Sequence, residues 1–135
     1  MGLISTLRAS ASGLSAERLR MDLIADNLAN ANTTRTPDGQ PYRRKVAIFE
    51  PITPTPRMPG GVRVVQIAAD PSPPRMVYDP SHPDADPNGY VTYPNVDIVH
   101  EMVDMITASR AYEANIQAFN AAKGMFLRTL DIGRV

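Results

Sequence analysis

The stretch that decides the fold is residues 98–130, which read IVHEMVDMITASRAYEANIQAFNAAKGMFLRTL and contain no proline. Large apolar side chains recur there every seven residues, with a second set beside them: Ile98, Met105, Tyr112, Phe119 and Phe126, and then Met102, Ile116 and Leu130. This pattern predicts an amphipathic helix from Asp97 to Leu130, about 51 Å long. A stripe of Met and aromatic residues at helical spacing is typical of helix packing rather than of a cofactor site, so no cofactor is expected.

The first 36 residues carry a second helical pattern and are also free of proline. Their apolar residues follow a spacing of seven, with a second row beside it: Leu7, Leu14, Met21 and Leu28, and then Leu3 and Ile24. The pattern predicts a helix from Leu3 to Asn30, about 42 Å long. A compact chain of this length would be only about 37 Å across. We therefore expect a rod in which the two helices lie side by side and other subunits cover the rest of their apolar faces.

The middle of the chain differs from both flanks, because all 13 prolines lie between Pro37 and Pro94. An interior proline costs a helix about 3 kcal/mol, so this segment cannot form a long helix. Short β-type runs are separated there by Pro-Asp-Gly, Pro-Gly-Gly and Pro-Asn-Gly turns. They predict one or two small hairpins, built from Tyr42–Phe49, Val62–Ile67 and Arg75–Tyr78.

The predicted fold is mainly α with a small β part: two long terminal helices form a coiled-coil-like pair and are joined by a Pro-rich hairpin or extended arm. We expect one structural unit with three parts, namely the N-terminal helix and its exit (1–36), the arm (37–94) and the C-terminal helix (95–135). These parts carry net charges of +1, 0 and −1, so no part of the sequence is strongly polarised.

Composition excludes several classes of function. The chain has 14 basic and 14 acidic residues and no cysteine. Without a basic field to attract phosphates, nucleic acid is not an expected partner, and cysteine-based disulfides, zinc sites and nucleophiles are excluded. No apolar run is long enough to span a membrane, and the N-terminus lacks the pattern of a cleaved signal peptide. We expect no membrane insertion, and either a cytosolic protein or export by a route that needs no such peptide.

One segment resembles part of a metal site. Residues 84–89 (DADPNG) match the first half of a calcium-binding loop, but the twelfth position is Asn95, where a bidentate Glu is needed. A turn capped by Asp and Asn side chains explains the segment better. The two histidines, His82 and His100, have no second ligand at metal spacing. We therefore expect no metal site and no catalytic residues.

Two groups of polar residues have more than one interpretation. The basic run Arg43-Arg44-Lys45 alternates faces on the predicted strand, which favours a solvated edge over a phosphate site. Asn27, Asn30 and Asn32 follow one another at the end of the first helix. One of them could close the helix, whereas all three could bond to backbone or partner side chains across a helix interface and fix its register.

The same residues resemble motifs of the flagellar axial proteins, and within them of proximal-rod proteins of the FlgC type. The signatures shared by rod and hook proteins are similar to IADNLANANT (24–33), NVD (95–97), EM (101–102), SRAYEAN (109–115) and LDIGR (130–134). The FlgC type is indicated by DPSP (70–73), YDPSHPDAD (78–86), GYVTYP (89–94) and by TPDGQP (36–41), which precedes Tyr42 where other rod and hook proteins have Thr-x-Gly and an aromatic residue. The polar residues of these signatures are Asn27, Asn30, Asn32, Thr33, Glu101, Arg110, Glu113 and Asn115.

The resemblance implies a non-enzymatic subunit of the flagellar basal-body rod, made in the cytoplasm, exported by the flagellar type III apparatus and polymerised in the periplasm to transmit torque. The implied partners are the chain itself, other proximal and distal rod proteins, the adaptor between the rod and the MS ring, and the export apparatus. In such a subunit the two apolar sets quoted above would pack against each other, within one chain or between neighbours.

Two other functions remain open from the sequence. A cytosolic helical-hairpin adaptor or export chaperone would use the same two helices without polymerising. A small hydrolase would use Asp84, Asp86 and His82, although the prolines around them restrict the loop.

Overall fold

Two long helices and two small β-hairpins make up the computed structural model, which describes residues 2–56 and 58–134. The helices are α1 (Leu3–Ala29) and α2 (Ile98–Ile132), and the strands are β1 (Lys45–Ile52), β2 (Gly61–Ala69), β3 (Arg75–Tyr78) and β4 (Tyr90–Tyr93). The prediction of a mainly helical fold with a small β part is confirmed.

Side-chain hydrogen bonds mark the start of α2 and the end of α1. The Asp97 carboxylate accepts hydrogen bonds from the backbone N–H groups of Val99 and His100, at 2.9 and 3.2 Å, and so caps the start of α2. At the end of α1, Asn30 donates to the Asp26 carbonyl at 2.9 Å. Both predicted helices are present: α1 ends one residue earlier than expected and α2 continues for two residues beyond Leu130.

The helices are antiparallel, as three contacts show: Asn27 lies beside Glu101, Met21 beside Ser109, and Gly13 beside Asn115. Three small residues, Ala16, Ala108 and Ala122, are buried along the pair. Small side chains allow a close approach of the two backbones, and the three contacts above define the register. The same register places Leu3 beside residues 125–127, so the last turns of α2 extend beyond α1.

The first hairpin, β1–β2, runs back along α1. Its strands are antiparallel with an irregularity between Ile48 and Phe49. Ser12 accepts a hydrogen bond from the Val62 N–H at 3.0 Å, and a Cβ added to Gly61 would lie only 2.5 Å from the Ser12 hydroxyl. A residue without a side chain is therefore required where the hairpin touches α1.

The predicted strand boundaries need correction. The first strand begins at Lys45 rather than Tyr42, because Tyr42 is turned into the core, and it continues past Phe49 through Pro51. Pro51 is tolerated because β1 pairs with a strand on one side only. β2 is also longer than expected, whereas β3 matches the predicted Arg75–Tyr78.

The second hairpin, β3–β4, includes a strand that was not predicted, Tyr90–Tyr93. Val91 on this strand is fully buried, and the Tyr78 and Tyr90 rings pack edge to face with centroids 5.3 Å apart. In the preceding loop, the Asp86 carboxylate accepts hydrogen bonds from the N–H groups of Asn88 and Tyr90, at 2.9 and 2.8 Å. This is the capped turn expected for the segment.

Candidate functional site

A buried polar cluster lies where the end of α1, the start of α2 and the root of the first hairpin meet. We call it the polar clamp and define it as Asn27, Tyr42, Arg44, Asn95 and Glu101. Ala31, Tyr42 and Val96 form the small apolar core beneath it. The clamp therefore lies at a place where both helices and the arm are in contact.

Asn27 is the centre of the clamp and is almost completely buried. Its amide nitrogen donates to the Lys45 carbonyl at 2.9 Å and to the Glu101 carboxylate at 3.3 Å. Its oxygen accepts from the Tyr42 hydroxyl and the Lys45 N–H, both at 2.9 Å. One side chain thus fixes the first residue of β1 and bonds across the helix interface, as the second interpretation proposed for all three asparagines, whereas Asn30 bonds back to the Asp26 carbonyl at the end of α1. Burial, with the Asp26 and Glu101 charges, raises the pKa of Tyr42, which remains a donor.

The charge of Glu101 is compensated inside the clamp. Glu101 is completely buried and accepts a hydrogen bond from the Arg44 guanidinium, which also contacts Asp70 at 3.1 Å and Asp104 at 3.4 Å. Burial alone would lower the pKa of Arg44, but its bonds to Glu101 and Asp70 outweigh burial and raise the pKa above its usual value. Arg44 therefore stays charged.

The prediction that the basic run is a solvated edge is wrong for Arg44. Arg43 and Lys45 are exposed, whereas the Arg44 side chain is only 23% exposed and turns toward α2. The three residues precede or begin β1 instead of lying within it, so strict alternation does not apply. Arg44 pairs with carboxylates of the same chain, which gives it a structural role.

Asn95 closes the clamp from the side of α2. Its oxygen accepts from the Arg44 N–H at 2.9 Å, and its nitrogen donates to the carbonyls of Asp70 and Ser72, at 3.2 and 3.0 Å. Sequence reasoning placed Asn95 in a signature and at the twelfth position of the rejected calcium loop, and it missed Tyr42 and Arg44 as site residues. The available signal was Glu101, a carboxylate on an apolar helix face that needs a buried basic partner.

The other signature residues are distributed around the helices. Thr33 donates to the Asn30 side chain at 3.1 Å beyond the end of α1, and Asn32 is exposed. Asn115 lies against Gly13, with its amide 3.0 Å from where a Cβ would be. Arg110 and Glu113 are exposed on α2. The structure therefore brings Asn27 and Glu101 together, joins Thr33 to Asn30, and leaves the others apart.

The predicted helix-packing residues differ in burial. Ile24 is buried; the half-buried members are Leu7, Leu14, Met21, Leu28, Met105, Tyr112, Phe119 and Phe126; and the exposed members are Ile98, Met102, Ile116 and Leu130. The burial of Leu23 and of the helix alanines Ala16, Ala108 and Ala122 was not predicted, because the heptad pattern was defined by large apolar residues. One chain therefore covers the rows only in part, and their role in assembly stays a prediction.

The residues considered for a metal or hydrolytic site have structural contacts. His82 accepts the Asp84 N–H at 3.0 Å, and the Asp84 carboxylate accepts from Thr34 at 2.7 Å and pairs with Arg35 at 2.8 Å. Among residues 2–56 and 58–134, no group of three or more His, Cys, Asp or Glu side chains is placed to hold a metal ion. Neither helix in this part of the chain has an apolar stretch that would let it cross a membrane.

Comparison with known proteins gives matches along the whole chain. Residues 7–35 match the family described as flagella basal body rod protein, and residues 88–132 match the flagellar basal body rod FlgEFG protein C-terminal family. The chain is 48% identical to the flagellar basal-body rod protein FlgC of Borreliella burgdorferi, with 98% of each chain covered. It is 43% identical to FlgC of Salmonella typhimurium and 41% identical to FlgC of Bacillus subtilis, with 99% of this chain and 100% of each relative covered.

Proposed function

Because the chain belongs to the FlgC family of flagellar basal-body rod proteins, we propose that it is a structural rod subunit that polymerises through α1 and α2. It is a component of the flagellar basal body, and its partners are other rod proteins. The proposal assigns the packing role to the two heptad rows and no catalytic role to any residue.

The observation that carries the proposal is the uncovered apolar surface of α2. Five large residues near its start are exposed and fall within about 140° of the helix circumference: Ile98, Val99, Met102, Val103 and Ile106. Near its end, Met125, Leu127, Leu130 and Ile132 are exposed as well. Soluble monomers rarely expose contiguous apolar patches of this kind, and such patches usually mark interaction sites.

The polar clamp supports a mechanical role for the subunit. It bonds both helices to the root of the arm, so a force applied to the arm passes to the helix pair through buried hydrogen bonds and an ion pair. We propose that torque is transmitted through many such subunits, whose helices interlock and whose arms contact neighbours. Export by the flagellar type III apparatus and contact with the adaptor at the MS ring are further parts of the proposal.

The test places a charge in the proposed helix contact. Phe119→Asp puts a carboxylate in a half-buried position of the α2 row and should abolish both rod assembly and swimming. Asn120→Asp is the matched control, because it introduces the same group at the exposed neighbouring position and should leave both intact. Swimming cells whose basal bodies contain the Phe119→Asp chain would refute the packing role. Cell fractionation distinguishes the rod subunit from the alternative function, because an adaptor or chaperone would remain in the cytosol.

A further inference from the structure

The loop between β3 and β4 contains an asparagine that is followed directly by glycine. Among the asparagines of the chain, only Asn88 precedes a glycine. This pair is chemically unstable in peptides, because glycine has no side chain to keep its backbone nitrogen away from the asparagine side chain. Asn88 is exposed, so water reaches its side chain.

The reaction that threatens this pair is deamidation. The Gly89 backbone nitrogen attacks the side-chain carbonyl carbon of Asn88, a bond forms between these two atoms, and the bond from that carbon to the side-chain nitrogen breaks. Ammonia leaves and takes the proton of the Gly89 N–H with it. Water then opens the five-membered imide at either carbonyl, which gives aspartate or isoaspartate. Overall one water is consumed and one ammonia is released, with no oxidant or cofactor.

The fold requires the glycine that makes this reaction possible. Gly89 is buried and has a φ of +84°, a backbone conformation that favours glycine. A Cβ at this position would lie 2.8 Å from the Tyr78 ring and 3.0 Å from Pro80. The second hairpin therefore cannot close normally around a larger residue that would slow the reaction.

The closed hairpin holds the reacting nitrogen in place. The Gly89 N–H donates to the Asp86 carbonyl at 2.9 Å, and the Gly89 carbonyl accepts from the Asp79 N–H at 2.8 Å. The Asp86 carboxylate also accepts from the N–H groups of Asn88 and Tyr90, which fixes the backbone on both sides of Gly89. Attack needs the Gly89 nitrogen without its proton and free to move, so its bond to Asp86 must break first. The reaction should therefore start from conformations in which the hairpin is open.

We propose that Asn88 is a site of spontaneous deamidation, that the closed β3–β4 hairpin suppresses the reaction, and that the isoaspartate product prevents the hairpin from closing. Isoaspartate inserts one additional carbon into the main chain just before Gly89, whereas the turn depends on the spacing between Asp79, Asp86 and Gly89. The aspartate product leaves the main chain unchanged. Each period with the hairpin open therefore adds irreversible damage to the arm, whether or not the chain polymerises.

Peptide mapping of the full chain measures the reaction and supplies an internal control. Trypsin should release residues 76–110, which contain Asn88 and also Asn95, an asparagine followed by valine. After incubation at pH 8 in guanidinium chloride, Asn88 should be converted while Asn95 remains intact. In buffer without denaturant, conversion of Asn88 should be at least about tenfold slower. Equal rates for Asn88 in the two solutions, or equal conversion of both asparagines in denaturant, would overturn the proposal.

A substitution in the loop tests the protection by the hairpin. Asp86→Ala removes the carboxylate that accepts from Asn88 and Tyr90, so it should raise the rate in buffer about fivefold and leave the rate in denaturant unchanged. Asp38→Ala, which removes an exposed carboxylate from the turn before β1, is the matched control and should change neither rate. An Asp86→Ala chain that reacts no faster than the wild type in buffer would refute the protection.

Hydrogen exchange of the separated products tests the effect of isoaspartate. In the wild type and in Asn88→Asp, which reproduces the aspartate product, the N–H groups of Asp79 and Asp86 should be protected, because they bond to the carbonyls of Gly89 and Tyr90. In the isoaspartate chain both groups should lose this protection, while the amides of α2 exchange as in the wild type. Protected Asp79 and Asp86 amides in the isoaspartate chain would show that the hairpin still closes and would overturn this part of the proposal.

Discussion

Arg44, just before β1, forms an ion pair with Glu101 in the first turn of α2, although 57 positions separate them in the sequence. Glu101 is completely buried, so its charge requires this partner. The ion pair therefore joins the root of the arm to the helix pair. As a result, docking of the arm and pairing of the helices should form one cooperative unit.

Arg44→Met should destabilise the chain strongly, because it leaves the Glu101 carboxylate buried without its counter-charge. The expected loss is about 3–5 kcal/mol in the free energy of unfolding, as is usual when one member of a buried pair is removed. Urea unfolding of the full chain, followed by circular dichroism, measures it.

Arg43→Met is the matched control for this change, since Arg43 is exposed and has one long contact, 3.4 Å to the Asp70 carbonyl. It should change stability by less than about 0.5 kcal/mol. Adding Glu101→Leu to Arg44→Met should recover most of the loss, because no buried charge remains. Equal stability of the Arg43 and Arg44 variants would show that the ion pair does not contribute to the free energy of unfolding.

Asn27→Ala tests the centre of the clamp. It removes the partner of the Tyr42 hydroxyl and of both backbone groups of Lys45, all in a buried position. Unsatisfied buried groups cost about 1–3 kcal/mol each, so the total loss should be about 3 kcal/mol after partial relaxation. Asn32→Ala, at an exposed position of the same motif, should be close to neutral in the same urea experiment. If the two variants unfolded at the same urea concentration, the stability of the clamp would not depend on Asn27.

The sequence predicted the helices well because their determinants are local. The heptad row from Ile98 to Phe126 and the absence of proline are sufficient for α2, and Asp97 caps its start. The strand Tyr90–Tyr93 was missed, because four residues with one aliphatic side chain carry little periodicity. Its position depends on pairing with β3, which a local pattern does not contain.

The candidate site was predicted only in part, for a related reason. Asn27 and Glu101 were identified as signature residues. Their hydrogen-bond partners lie far away in the sequence and come close only in the folded chain, so a local pattern does not reveal them. The basic run around Arg44 has the composition of a solvated edge, and only the buried Glu101 explains why Arg44 turns inward. Likewise, Gly13 and Asn115 make a close contact between the helices, although neither contributes to a hydrophobic pattern.

The two helical glycines should respond differently to alanine. Gly124→Ala adds a Cβ where no atom lies within 4 Å, so it should stabilise the chain by about 0.5–1 kcal/mol through helix propensity. Gly13→Ala should gain less or lose stability, because its Cβ would lie 3.0–3.2 Å from the Asn115 amide. Thermal unfolding of the two variants, compared at equal chain concentration, measures the difference.

Asn115→Ala identifies the cause of that difference. Combined with Gly13→Ala it should restore the propensity gain, whereas combined with Gly124→Ala it should show simple additivity, as distant sites do. A Gly13→Ala variant as stable as Gly124→Ala would mean that the close contact between the helices is not maintained in solution.

The chain should lose stability in acid, and Asp70 should account for a measurable part of the loss. The Ser72 hydroxyl and N–H donate to the Asp70 carboxylate and, with Arg44, hold its pKa below the ordinary value of 3.8. Similar bonds from Ser81 lower the pKa of Asp79. A folded pKa below the unfolded one means that the unfolded chain binds more protons between the two values. The stabilisation is therefore complete above the unfolded pKa and disappears as pH falls through the folded pKa.

Ser72→Ala isolates the contribution of Asp70. At pH 7 the variant should melt below the wild type, because the ionised carboxylate has lost a hydrogen bond. As pH falls below about 4, the difference in melting temperature between the variant and the wild type should disappear, since the Asp70 carboxylate becomes protonated in both proteins. Ser15→Ala, an exposed change in α1, should shift the melting temperature by the same amount at every pH. If Ser72→Ala lowered the melting temperature as much at pH 2.5 as at pH 7, the effect would come from other contacts of the hydroxyl and not from the charge of Asp70.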